Sequence, residues 1–178
     1  MREFTLRLAS RTDVTAIAAV MRESVAQLGR GVYGEQQIAS SLQFICRPDE
    51  QLIDDGTYFV AIIDSEIAGC GGWSRRQKVY SGSAASGGED ALLNPATDAA
   101  RIRAMFVRPT WARRGIGRAI LQHSEERAAA EGFRRFQLVA MRSAGRLYES
   151  CGYRAVREAP ITLEDGVMLE CTLMEKEG

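Results

Sequence analysis

Polar and apolar residues alternate over residues 3–8 (EFTLRL), the two-residue period of a half-buried strand. Ser10 then stands three residues before Asp13, a capping-box pattern that opens a helix. Behind it Val14, Ile17, Ala18, Met21, Val25 and Leu28 recur at helical spacing and form one apolar face, which Gly29 and Gly31 end. A second helix is predicted over residues 35–45 with Ile38, Leu42 and Ile45 inward, and Pro48 with the acidic residues after it breaks the pattern. Strands are predicted at 57–63 (TYFVAII) and 67–73 (IAGCGGW), joined by Asp64, Ser65 and Glu66 as a hairpin. Residues 74–99 carry no period, and the SGSAASGG stretch at 81–88 has linker composition, so the whole span reads as a long flexible loop. Order resumes with an apolar strand at 101–107 (RIRAMFV), stopped by Pro109, and a turn leads into an amphipathic helix ending at Gly132. A buried strand at 136–140, a short helix at 144–150 and strands at 153–156 and 167–174 complete the chain. The order β-α-α-β-β-β-α-β-α-β-β predicts an α/β (α+β) mixture around one sheet, a single domain over residues 1–178.

Composition narrows the function classes. The 178 residues include 23 Lys plus Arg and 23 Asp plus Glu, so nothing in the net charge favours nucleic acid as a partner. Cys46, Cys70, Cys151 and Cys171 form no C-x-x-C pair and His123 is the single histidine, which leaves a metal site without its usual ligand spacing. Scattered cysteines in apolar surroundings read as reduced, buried thiols and point to a cytoplasmic protein. The charged N-terminal stretch is unlike a secretory signal, and no apolar run approaches the ~20 residues of a membrane helix.

Chemistry concentrates in residues 103–121, RAMFVRPTWARRGIGRAIL. A strand ends at a proline, a basic turn follows, and Gly115 and Gly117 lead into a helix. A helix N-terminus presents free N–H groups and a partial positive charge. Glycine lets the backbone approach a phosphate closely, and Arg113, Arg114 and Arg118 add guanidiniums that pair with phosphate oxygens. The stretch is therefore a candidate diphosphate cradle. The G-x-x-x-x-G-K-[ST] pattern of P-loops is absent, and the third glycine of the dinucleotide fingerprint is replaced by Ile120.

Residues 112–117 (ARRGIG) resemble motif A of the GNAT N-acetyltransferase superfamily, [QR]-x-x-G-x-[GA], with Ala112 in place of the usual first residue. Residues 144–153 (AGRLYESCGY) resemble the family's A-x-x-L-Y-E-x-x-G-[FY] block, with Met141 where relatives often carry Asn. The resemblance implies a central mixed, mostly antiparallel sheet, splayed at the coenzyme A site and flanked by about four helices. It implies acetyl-CoA as co-substrate and transfer of its acetyl group to a primary amine by direct attack. The diphosphate would rest on Arg113, Arg114, Gly115, Ile116, Gly117 and Arg118, and the pantetheine arm along Met105, Phe106 and Val107. Tyr148 would be the general acid. Glu23 is the first candidate base, with Glu35, Tyr33 and Asp98 beside it, and Tyr33 and Trp73 are candidate acceptor contacts. A small-molecule amine is the favoured acceptor, against a peptide amine or a non-catalytic acyl-CoA sensor, which the departures at Ala112 and Met141 keep open. A homodimer is compatible with all three. Plainer readings stand beside these: a G-x-G turn before a helix, a solvated arginine face, core roles for Tyr148 and Trp73, a structural thiol at Cys151 and a surface imidazole at His123.

Overall fold

In the computed structural model, which describes residues 3–77 and 91–178, the N-terminal alternation becomes strand β1 (Thr5–Leu8). A 3-10 turn over Arg11–Asp13 then opens helix α1 (Val14–Leu28). The predicted acid at the helix start is well used. The Asp13 carboxylate accepts the Ser10 N–H at 2.8 Å and takes both Arg7 guanidinium arms at 2.7 and 2.8 Å. Those partners hold its pKa well below the usual carboxylate range, the Arg7 hydrogen bonds most of all. Helix α2 spans Glu35–Phe44 and helix α3 spans Glu50–Asp54. Strands β2 (Tyr58–Ile63) and β3 (Glu66–Ser74) meet at a two-residue turn, Asp64 and Ser65, with φ of 48° and 68°. Two positive φ values match the right-handed twist of a hairpin. Then come β4 (Ala100–Val107), α4 (Ile116–Ala130), β5 (Arg135–Met141), α5 (Gly145–Ser150), β6 (Arg154–Glu158), β7 (Ile161–Thr162), β8 (Met168–Leu169) and β9 (Cys171–Glu177).

Among the described residues, seven strands form one sheet in the order β1-β2-β3-β4-β5-β9-β6, and β7 and β8 form a separate two-stranded hairpin. Every neighbouring pair of the large sheet is antiparallel except β4–β5. Alternation along β2 divides the core. Tyr58 and Val60 pack with Ile17, Val20, Met21 and Val25 of α1. Ala61 and Ile63 pack with Ile116 and Ile120 of α4, and Phe59 joins Leu121 of α4, Trp73, Phe133 and Phe136. Helices thus cover both faces, as a sheet with two apolar sides requires. Helix α2 packs through Phe44 against Ile161 and Leu169 of the small hairpin, beside Val139 and Met141 of β5.

Five α-helices flank the sheet among the described residues, where about four were expected. The extra one, α3, is five residues long and too short to show a period; Asp49 caps it by accepting the Leu52 N–H at 3.3 Å. The strand expected at 167–174 divides at Glu170 into β8 and β9, and β9 inserts between β5 and β6. The expected loop at 74–99 is narrower at both ends. Ser74 still belongs to β3, the Leu93 N–H donates to the Arg75 carbonyl at 2.7 Å, and the Gln77 N–H donates to the Ala91 carbonyl at 3.1 Å. The SGSAASGG stretch lies outside the described residues. Among the described residues no helix is long and apolar enough to cross a membrane, and no group of His, Cys, Asp and Glu is arranged to hold a metal.

Candidate active site

Strand β4 is the strand that shapes the site. It pairs in register with β3 until a bulge: Cys70 opposes Phe106 and Gly72 opposes Arg103, so Ala104 and Met105 together face Gly71. Ala104 takes a φ of 57°, an uncommon conformation for a residue with a β-carbon. Its carbonyl accepts the hydroxyl of the buried Tyr58 at 3.2 Å, which pins the bulge from beneath. On the other side β4 pairs with β5 only at Ala100–Phe136 and Arg101–Gln137. Beyond Arg101 the two strands part, and among the described residues one flank of β4 from Ile102 to Val107 has no strand beside it. A sheet normally presents such a row of N–H and C=O groups only at its rim.

Past β4 the chain makes a 3-10 turn over Pro109–Trp111, and Arg113 and Gly115 both adopt positive φ, 66° and 84°. Gly115 is the N-cap of α4. Among the described residues, no acceptor takes the backbone N–H groups of Arg113 through Arg118; the first hydrogen bond of the helix is Ala119 N–H to the Gly115 carbonyl at 2.9 Å. Six amides therefore lack partners at the positive end of a 15-residue helix. Gly117 is small for a reason the space around it explains. A β-carbon there would meet the Leu147 side chain at 3.2 Å and Val107 at 3.6 Å, filling the gap between α4, β4 and α5.

The parted strands and this helix end open on one cavity of about 720 Å³. Met105, Phe106, Val107, Arg113, Gly115, Ile116, Gly117 and Arg118 line it, as do Tyr33 and Tyr148. Tyr148, on α5, is buried, stands edge-on to Tyr153 with ring centroids 5.9 Å apart, and makes no hydrogen bond through its hydroxyl among the described residues. Burial holds its pKa well above the usual phenol value, so the hydroxyl keeps its proton and remains a donor. Tyr33 differs: its hydroxyl donates to the Glu170 carbonyl at 3.1 Å and accepts the Arg142 N–H at 2.9 Å. Burial pushes its pKa up to about 12. It ties the segment after α1 to the two chain segments that follow β5 and β8.

Sequence reasoning missed part of the lining. Arg103 faces the cavity from the bulge while its guanidinium pairs with Asp49 at 3.0 Å, both side chains almost fully buried. Ser24, Ser41 and Arg146 also line it. Ser24 and Ser41 do fall at the helical spacing of Met21 and Leu28 and of Ile38 and Ile45, but their small polar side chains hid them in the apolar pattern, and the bulge changes the face that β4 residues such as Arg103 present. One signal was legible and unused: the glycines of β3. A β-carbon on Gly71 would meet Met105 Sδ at 2.2 Å, and one on Gly69 would meet Ile116 at 3.0 Å, so these glycines let α4 and the bulge close onto the strand.

Other expected residues lie elsewhere. Trp73 does not line the cavity; it is 1% exposed in the core, edge-on to Phe133 at 5.8 Å, because its side of β3 faces α4. Glu23 does not line it either: its carboxylate faces Arg108 at 3.6 Å, and it is the next residue, Ser24, that the helical turn brings to the cavity. Arg114 turns away to stack its guanidinium 4.8 Å over the Trp111 ring. Glu35 is exposed on the first turn of α2, and Asp98 accepts the Asn94 N–H within its own loop. Cys151 is half-buried outside the lining, and the His123 ring stands edge-on to Phe59 at 4.6 Å. Among the described residues, every charged side chain that lines the cavity is an arginine: Arg103, Arg113, Arg118 and Arg146.

Residues 24–153 match the model of the Acetyltransferase (GNAT) family. No curated protein matches the chain. Among solved structures, a GCN5-related N-acetyltransferase from Rhodopseudomonas palustris is similar at 21% identity and a TM-score of 0.76, covering 100% of this chain and 98% of its own. The PaiA N-acetyltransferase from Thermoplasma acidophilum, solved in complex with coenzyme A, is similar at 17% identity and a TM-score of 0.69, with 99% of each chain covered. The ribosomal-protein-S18-alanine N-acetyltransferase from Escherichia coli follows at 18% identity and a TM-score of 0.59, covering 98% of this chain and 94% of its own. Likeness at these identities speaks for the fold.

Proposed function

The chain belongs to the GNAT acetyltransferase family, and we propose that it is an N-acetyltransferase that moves the acetyl group of acetyl-CoA to a primary amine of a small molecule. The observation that carries this reading is the meeting of two features in one cavity: the unpartnered flank of β4 and the six free amides before and within the first turn of α4. A diphosphate fits the amides, with the Arg113 and Arg118 guanidiniums beside it. An extended amide-bearing arm fits the open flank of β4 as an added strand would. These two groups lie in tandem in coenzyme A, and the breadth of the cavity leaves room for an acceptor beyond them.

Acetyl-CoA supplies the acetyl thioester. The residues of this chain orient it, and a backbone N–H at Phe106 or Val107 stabilises the developing oxyanion. The bond from amine nitrogen to acetyl carbon forms as the carbon–sulfur bond breaks. Counted from the ammonium, nitrogen sheds two protons to water; the departing sulfur takes one from the Tyr148 hydroxyl, which regains it from that water, so one proton is released overall. Glu23 is engaged with Arg108 and outside the cavity, so water takes the role of base.

Structural relatives act on different amines. One similar structure is an N-acetylglutamate synthase from Neisseria gonorrhoeae complexed with coenzyme A and N-acetyl-glutamate, while another, the Escherichia coli enzyme above, bears the name of a protein acceptor. The apolar, walled cavity favours the small molecule here. The test combines calorimetry with a free-thiol assay on the purified chain. Acetyl-CoA should bind, and amines should release coenzyme A. Binding without release would leave an acyl-CoA sensor, and no binding would remove the proposal.

A further inference from the structure

We propose that the acceptor is a primary monoamine carried on an apolar body, with no second positive charge. This inference rests on the acetyltransferase reading and narrows it. The part of the cavity remote from the α4 turn is bounded by Val25 and Leu28 of α1, Ile38 of α2, Ile45 just after it, Val139 of β5 and Ile161 of β7. Its neutral polar groups are few and partly occupied. The Ser41 hydroxyl donates to the Gln37 carbonyl at 2.7 Å, and the Tyr33 hydroxyl holds Glu170 and Arg142.

Charge decides the class. Among the described residues no Asp, Glu or His lines the cavity. Four carboxylates near that region are engaged: Asp49 with Arg103, Glu23 with Arg108, Glu170 with Arg142, and Asp165 with the Ser40 hydroxyl. A polyamine or an aminoglycoside would bring further ammonium groups against these apolar walls, where none of the described lining residues is a carboxylate to receive them, and burying an unpaired charge is strongly unfavourable. A monoamine escapes this by giving up its proton. Desolvation among the apolar walls disfavours its charged form, and the neutral form is the one that attacks. A lining without a carboxylate among the described residues thus selects against polycations, and its apolar walls help deprotonate the acceptor. Leu28, 40% exposed, places an apolar residue on the rim as well as the wall.

The experiment measures kcat/KM by thiol release at saturating acetyl-CoA for phenethylamine and leucinamide against spermidine and kanamycin, with calorimetry of coenzyme A alongside. The monoamines should lead by at least about tenfold, the discrimination expected when a site leaves a charge unpaired. Leu28→Glu, which sets a carboxylate on the rim, should close that gap about tenfold in favour of spermidine with coenzyme A affinity unchanged. Circular dichroism checks that the variant is folded. If coenzyme A binds and the polycations turn over as fast as the monoamines, the monoamine proposal falls while the acetyltransferase reading stands. If coenzyme A does not bind, or binds and no amine is acetylated, both fall.

Discussion

At the scale of single residues, two tyrosines line the same cavity and differ in what their hydroxyls do. Tyr33 is tied to two backbone partners, whereas Tyr148 keeps an unshared proton among the described residues. Replacing Tyr148 with Phe should therefore lower kcat by about 100-fold, the lower end of proton-transfer contributions, with the dissociation constant of coenzyme A nearly unchanged. Steady-state kinetics with calorimetry checks both, and an unchanged kcat would remove the tyrosine from the chemistry. Asp13 supports a prediction about acid stability. Its folded pKa is depressed by Arg7 and Ser10, so its contribution is fully present above the unfolded value of about 3.9 and is lost as pH falls towards the lower folded value. Asp13→Asn should lower stability by about 1 kcal/mol at pH 7, as loss of a helix cap does. That gap should hold to about pH 5 and shrink below pH 4, as urea midpoints across pH would show. Gly115, Gly117 and Tyr148 were legible in the sequence because backbone freedom, close approach and a motif position each leave a mark on residue type. Glu23 and Trp73 were not. Choosing between Glu23 and Ser24 needs the rotation of α1 to within one residue, and the alternation that buries Trp73 does not say which face of β3 borders the cavity.

At the scale of elements, most helices and strands followed from periodicity, and the failures are the short ones. Helix α3 and the β7–β8 hairpin have too few residues to repeat a pattern, and they owe their form to a capping aspartate and to α2 packed against them. Glycines show how tightly elements constrain one another. A β-carbon on Gly72 would meet the Thr57 carbonyl oxygen at 2.2 Å, and that carbonyl already accepts the Trp73 N–H at 3.1 Å. Backbone cannot swing aside as a side chain can, so Gly72→Ala should cost at least ~2 kcal/mol by overpacking. Gly145, the first residue of α5, meets nothing within 4 Å, so Gly145→Ala should gain about 0.5 kcal/mol from a stiffer unfolded chain. Chemical denaturation of the two variants should show opposite signs.

At the scale of the whole molecule, the sheet is continuous in order but not in hydrogen bonding. β1 to β4 on one side and β5, β9 and β6 on the other meet through two residue pairs, Ala100–Phe136 and Arg101–Gln137, and the cavity opens where they part. Residues 101–107 and 136–140 each read as a buried strand, but nothing in either run says that they separate; that expectation came from the family resemblance, and the insertion of β9 between β5 and β6 had no sequence signal at all. A ligand that bridges the gap should raise stability by mass action, about 2.7 kcal/mol at 100 times its dissociation constant. For a chain of this size that is roughly 5–10 °C in Tm, which scanning fluorimetry with coenzyme A would read; Arg113→Ala with Arg118→Ala should remove most of the shift. The unpartnered flank of β4 has one more consequence. Proteins guard the outer strands of their sheets against adhesion to other chains, yet here the adhesive row runs through the middle, where neither a charged rim nor a proline can shield it. A ligand laid along that row would satisfy those backbone groups and so shield the slot as well as bridge it.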